Sequence, residues 1–173
     1  NISCGYSAVA SISLARGEID VGLMLGPFKH TEFDVLSVAS ECLFVAMPNQ
    51  HPLASKAEVS VSDFSDLPLV MGTDRQWDFY RSRVGQSLSL TDLESRIEYE
   101  APDMMGMLGL VKSGLGITIV PEVMKGYCPS GVAMRRITGS EGAIETIASW
   151  RSPVEAKVID FTNILKKISK QPK

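Results

Sequence analysis

The sequence predicts an α/β fold of two βα lobes, and three observations carry that prediction. Strand-helix-strand runs fit within about 25 residues, the spacing of a βαβ unit. The strand segments are apolar on both faces, as in a sheet covered by helices. Of the 173 residues 45% are hydrophobic, enough to bury a sizeable core.

Ile2 to Tyr6 reads as a short strand, and Ser7 as the cap of a helix over Ala8 to Arg16 that Gly17 ends. Val9, Ile12 and Leu14 give that helix an apolar side, and Ile19 to Leu25 reads as a buried strand, so a mostly parallel sheet is expected. Val35 to Val38 and Leu43 to Met47 are further strands, closed by Pro48. From Val59 the chain changes character. A Ser-capped turn over Ser60 to Phe64 precedes a strand at Pro68 to Met71, a helix from Trp77 to Leu88 and a strand at Arg96 to Glu100. Pro102 suits a first helical position, and Met104, Met107, Leu108 and Val111 lie at helical spacing, so a helix is expected over Asp103 to Ser113 with its stop at Gly114. Strands at Gly116 to Val120, Val132 to Ile137 and Ile144 to Trp150 follow, then a helix from Pro153 to Ser169. One lobe takes residues 1–40 and 144–173 and the other 41–143, so the chain crosses twice. Two lobes so joined leave a cleft, and in open α/β sheets ligands sit beyond the carboxyl ends of strands, where helix N-termini point free N–H groups.

Composition narrows the function. A formal charge of −3 argues against a long nucleic-acid surface, because phosphate neutralisation needs clustered Lys and Arg that appear only from the end of the last helix onward, in the basic tail Lys166, Lys167, Lys170 and Lys173. Three cysteines without regular spacing argue against a disulfide framework and for a reducing compartment, so a cytoplasmic location is expected. No apolar run approaches the roughly 20 residues needed to span a bilayer. His30 and His51 sit in turn-like segments without metal-ligand spacing, and no nucleophile elbow or phosphate-cradling loop is present. Gly114-Leu-Gly116 reads as a tight helix-to-strand connection rather than a dinucleotide fingerprint. No catalytic residue, metal or cofactor is expected.

Several segments, taken in order, are more specific than any one alone. Ala15-Arg-Gly17-Glu-Ile-Asp20-Val-Gly22, then Leu43 and Val45 through Pro48 to His51-Pro52-Leu53-Ala54, then Leu110-Val to Gly114-Leu-Gly116-Ile-Thr-Ile-Val-Pro121, and Trp150-Arg151 resemble the effector-sensing part of LysR-type transcriptional regulators. The resemblance implies two Rossmann-like lobes joined by two crossing strands, similar to type 2 periplasmic binding proteins, with a small organic effector between them. It also implies a homo-oligomer, a dimer and in full length a tetramer, and DNA contact only through an N-terminal helix-turn-helix that precedes the segment given. A first strand and helix of the sensing module are likewise expected before Ile2. The competing reading on the same fold is a periplasmic solute-binding protein.

Position by position, the resemblance puts Ser7 at the cleft-facing turn, where its hydroxyl either holds an effector carboxylate or caps its helix. Gly72 to Phe79 matches the variable second-lobe loop, so Thr73, Arg75, Trp77 and Phe79 are candidate effector contacts. Arg75 offers a fork for an acid or a solvated surface charge, and the two rings offer an apolar wall or core packing. Asp103 lies at a cleft-facing helix start, facing an effector hydroxyl or amine or simply complementing its own helix. Met104, Met105 and Met107 are read first as core.

Overall fold

A computed structural model describes residues 2–4, 7–27, 31–73, 77–153 and 156–168, with backbone alone for 2–4, 156–157 and 168. In chain order the elements are β1 (Ile2–Cys4), α1 (Ser7–Ala15), β2 (Val21–Leu25), β3 (Phe33–Glu41), β4 (Leu43–Pro48), β5 (Glu58–Val59), β6 (Leu69–Gly72), α2 (Asp78–Leu88), β7 (Ile97–Ala101), α3 (Met104–Lys112), β8 (Thr118–Pro121), β9 (Val132–Ile137), β10 (Ile144–Arg151) and α4 (Ala156–Ile168). The chain folds as two compact units, Asn1–Ser40 with Glu145–Lys173, and Glu41–Ile144. It passes from one to the other within β3 and at the start of β10.

The first unit holds a four-stranded sheet in the order β1-β2-β10-β3. β1 and β2 run parallel with Ile2 opposite Val21, whereas β10 runs antiparallel to β2 with Trp150 opposite Val21. The sheet expected to be mostly parallel is therefore mixed, because β10 returns from the second unit in the opposite direction. Alternation along β2 and β10 separates two buried clusters. Ala10 and Leu14 of α1 pack with Ile19, Met24, Phe33 and Ile147, while Val158 and Leu165 of α4 pack with Val21, Ala148 and Trp150. The apolar side expected of the first helix divides in two. Ala10 and Leu14, one turn apart, point inward, and Val9 and Ile12 are 54% and 51% exposed. Arg151 donates to the Ala15 carbonyl at 2.8 Å, a cation on the last turn of α1, and Gly17 follows with φ +72°.

The second unit has a sheet in the order β5-β9-β4-β8 and a parallel pair β6-β7. β4 is antiparallel to both β8 and β9, a second departure from the parallel expectation. Lying between two strands, β4 buries Leu43 to Met47 completely or nearly so. Met107, Leu108 and Val111, at the helical spacing read from the sequence, are fully buried, each contributing on the order of 1.5–3 kcal/mol. Gly114 ends that helix with φ +80°, a left-handed conformation that an L side chain resists. Leu69 bridges Ile117, with Val70 N–H on the Ile117 oxygen at 2.8 Å and Ile117 N–H on the Pro68 oxygen at 3.0 Å, tying β6 to the approach of β8. The Ser-capped turn takes the form of a capping box between Ser60 and Asp63.

Candidate functional site

In the first unit, parallel pairing brings the carboxyl ends of β1 and β2 side by side, and α1 starts there at Ser7. Ser7 is the first helical residue rather than a cap outside the helix. Its Oγ accepts from Leu25 N–H at 2.9 Å, tying the start of α1 to the end of β2. A hydroxyl that accepts one bond keeps its O–H as a donor, so this half-buried group can serve an acceptor on a ligand.

The second unit repeats the pattern. β6 and β7 pair in parallel with Gly72 opposite Ala101, so the loops that follow leave from the same edge and enter α2 and α3. Thr73 N–H donates to the Ala101 oxygen at 2.9 Å, extending the pairing one residue past β6. Trp77 is buried, donates from Nε1 to the Pro102 oxygen at 3.1 Å and meets the Tyr80 ring edge-to-face at 5.6 Å. A Cβ on Gly72 would lie 2.0 Å from the indole, so only glycine lets the ring close over the end of β6. Asp103 caps α3, its carboxylate accepting from Gly106 N–H at 2.8 Å. Thr73 and Phe79 are half-buried, and Asp103 is exposed.

Thr73, Trp77 and Asp103 thus gather at one sheet end. Phe79 follows inside α2, Ser7 belongs to the other unit, and Arg75 lies outside the described residues. Trp77 serves packing and Asp103 serves its helix. Met107 is core as read, whereas Met105 is 53% exposed. His51 Nδ1 accepts from Leu53 N–H at 3.2 Å in its turn, and His30 lies outside the described residues.

Arg81 escaped the sequence reading. It is 8% exposed and donates from Nη2 to the Gly72 oxygen and to Glu100, and from Nη1 to Glu94 at 3.0 Å. Its acceptors come from distant parts of the chain, so no local spacing announces them. The available signal is an arginine beside Tyr80 and Val84 on the buried side of a helix, a place where a charge requires partners. Burial pushes the Tyr80 phenol well above its ordinary range, with the Glu41 charge adding to it, so it remains a donor to the Ile119 oxygen at 3.0 Å.

A hollow of about 650 Å³ opens elsewhere on the second unit, with Cys42, Phe44, Lys56, Lys125, Arg135 and Arg136 on its walls and none of the candidate residues. Its cations are already engaged. Lys125 lies 4.8 Å over Phe44 and 3.5 Å from Glu122, and Arg136 meets Glu58 and Glu141. Among the described residues no cluster of three His, Cys, Asp or Glu side chains is placed to hold a metal, and no helix is long and apolar enough to cross a membrane.

The LysR substrate binding domain family matches residues 1–166. The transcriptional regulator AlsR of Bacillus subtilis is 28% identical over 138 residues, 80% of this chain and 46% of its own length. The Hca operon transcriptional activator HcaR of Escherichia coli is 29% identical over 139 residues, 80% of this chain and 47% of its own. The chain spans about half the length of these relatives. Among solved structures, full-length CbnR complexed with its target DNA superposes with TM-score 0.82 at 18% identity, over 96% of this chain and 59% of CbnR. The effector binding domain of BenM with its effector benzoate gives TM-score 0.81 at 20% identity, over 98% of this chain and 79% of that one. This fold, in two compact units, is that of such domains. Its curated relatives are transcriptional regulators, and the chain itself belongs to the LysR substrate binding domain family.

Proposed function

We propose that this domain senses a small organic effector carrying an acid group, held at helix starts that follow its parallel strand pairs. The observation that carries the reading is the repeated placement of a helix start at the carboxyl end of paired parallel strands, α1 beside β1 and β2, and α2 and α3 beside β6 and β7. Such ends present free N–H groups and a positive dipole end to an anion. On this reading Ser7 donates its hydroxyl, Arg75 pairs with the acid and Thr73 supplies a further polar contact. Phe79 and the face of Trp77 border the apolar body. Asp103 repels a carboxylate directly beside it, so it faces a hydroxyl or amine of the effector while capping α3. The benzoate held by BenM, a fold neighbour, is an aromatic acid of this chemical class.

The full-length protein then works as an allosteric regulator in the cytoplasm. Effector binding shifts the population of domain arrangements, and DNA is contacted by a helix-turn-helix elsewhere on the polypeptide. The exposed Val9 and Ile12 of α1 support pairing of sensing domains into dimers and, in full length, tetramers. The test is a thermal-shift screen of the full-length regulator against aromatic and aliphatic acids. An effector at about 100 times its Kd adds about 2.7 kcal/mol of stability by mass action. Stabilisation by neutral analogues and by no acid would overturn the acid assignment.

A further inference from the structure

We propose that Arg81 is a positioning residue for the effector site: without touching the effector, it holds the carboxyl ends of β6 and β7 and the start of α2 in one preformed arrangement. The inference rests on the second-lobe reading above. Gly72 is the last residue of β6 and Glu100 the penultimate residue of β7, and one Arg81 guanidinium nitrogen, Nη2, donates to both. Nη1 reaches Glu94 in the turn leading into β7. The Arg81 backbone N–H donates to the Trp77 oxygen at 2.9 Å, which fixes the start of α2 relative to the same guanidinium. From there Trp77 reaches the Pro102 oxygen, and Thr73 reaches Ala101. Three chain segments are thereby held by one side chain, and two further bonds cross between the loops it braces.

The chemistry requires arginine. A charge this deeply buried persists only where acceptors surround it, and here two carboxylates and a strand-end carbonyl do so. A planar fork with five donors in fixed directions serves three acceptors from three directions at once, whereas a lysine ammonium on a flexible stem acts as a point charge and cannot span them. Because Nη1 and Nη2 are committed to these acceptors, while Nε is buried without a partner, the influence of Arg81 on an effector passes through the strand ends.

The test measures hydrogen exchange of the full-length regulator, without effector, in wild type, Arg81→Lys and Glu100→Gln. Glu100 is 43% exposed, so its variant keeps the fold even where the buried Arg81→Lys does not. Protection is expected to fall about tenfold or more at the amides of residues 70–73 and 101–106, the equivalent of one charge-assisted hydrogen bond weakened or lost, while β4 is unchanged. Full protection of both strand ends in both variants overturns the proposal. So does a uniform loss across β4 and the strand ends, which would reduce Arg81 to general stability. Full protection in Arg81→Lys alone would mean that charge, and not the fork, does the positioning, and would overturn it as well. Since no effector is present, this outcome is independent of the acid assignment, which stands or falls on the thermal-shift screen.

Discussion

The indole Nε1–H of Trp77 donates to the carbonyl oxygen of Pro102 at 3.1 Å, joining residues 25 positions apart across the carboxyl ends of two parallel strands. The bond couples the entry of α2 to the entry of α3. Trp77→Phe keeps most of the buried ring and removes the donor, so it is expected to cost about 1 kcal/mol in urea denaturation. Trp77→Ala empties the space over Gly72 as well and should cost about 3–5 kcal/mol. A Phe variant as stable as wild type would contradict the role given to this bond.

Asp103 accepts from Gly106 N–H, three residues into its own helix. Asp103→Ala is expected to lose about 1 kcal/mol, whereas Asp103→Asn retains the acceptor and most of that stability. Equal losses in both variants would show that the charge matters and the cap does not.

Lys56, donating to the Asp63 carboxylate, is the main cause holding the pKa of Asp63 at about 2, below the ordinary 3.8, with the Ser60 N–H and hydroxyl assisting. A lowered folded-state pKa stabilises the fold above the ordinary value, and this contribution is lost as pH falls through about 2. Carboxyl chemical shifts should therefore show Asp63 titrating well below the ordinary aspartate value. In Lys56→Met its titration should move back toward the ordinary value.

The isolated 173-residue segment, with its net charge of −3, is expected to bind duplex DNA no better than an acidic control protein at moderate salt. A salt-sensitive mobility shift with the segment alone would place DNA contacts in the sensing domain and contradict the division of labour proposed here.

Local chemistry made much of this architecture legible. The helical spacing of Met107, Leu108 and Val111 and the stop at Gly114 each depend on a few neighbouring residues, and they are where the sequence implied, whereas Pro102, read as a first helical position, stands outside the helix, one residue before the cap Asp103. Strand direction was not legible, since the antiparallel placement of β10 and β4 depends on the chain returning between units and leaves no local periodicity. Ser7 showed the same limit. Its capping propensity was readable, but its actual donor, Leu25 N–H, lies 18 residues away. Arg81 was invisible for that reason too, its carboxylate partners lying 13 and 19 positions along the chain.

The most direct test of effector contacts at these helix starts is the effector concentration for half-maximal response of the full-length regulator. It would be read from reporter transcription in wild type, Ser7→Ala and Arg75→Ala, with Ser7→Thr retaining a hydroxyl. Loss of a hydrogen bond or ion pair to an acid group, about 1 kcal/mol or more, should raise that concentration roughly fivefold or beyond in each alanine variant and far less in Ser7→Thr. An unchanged concentration in both alanine variants, with folding intact, would contradict the proposed site.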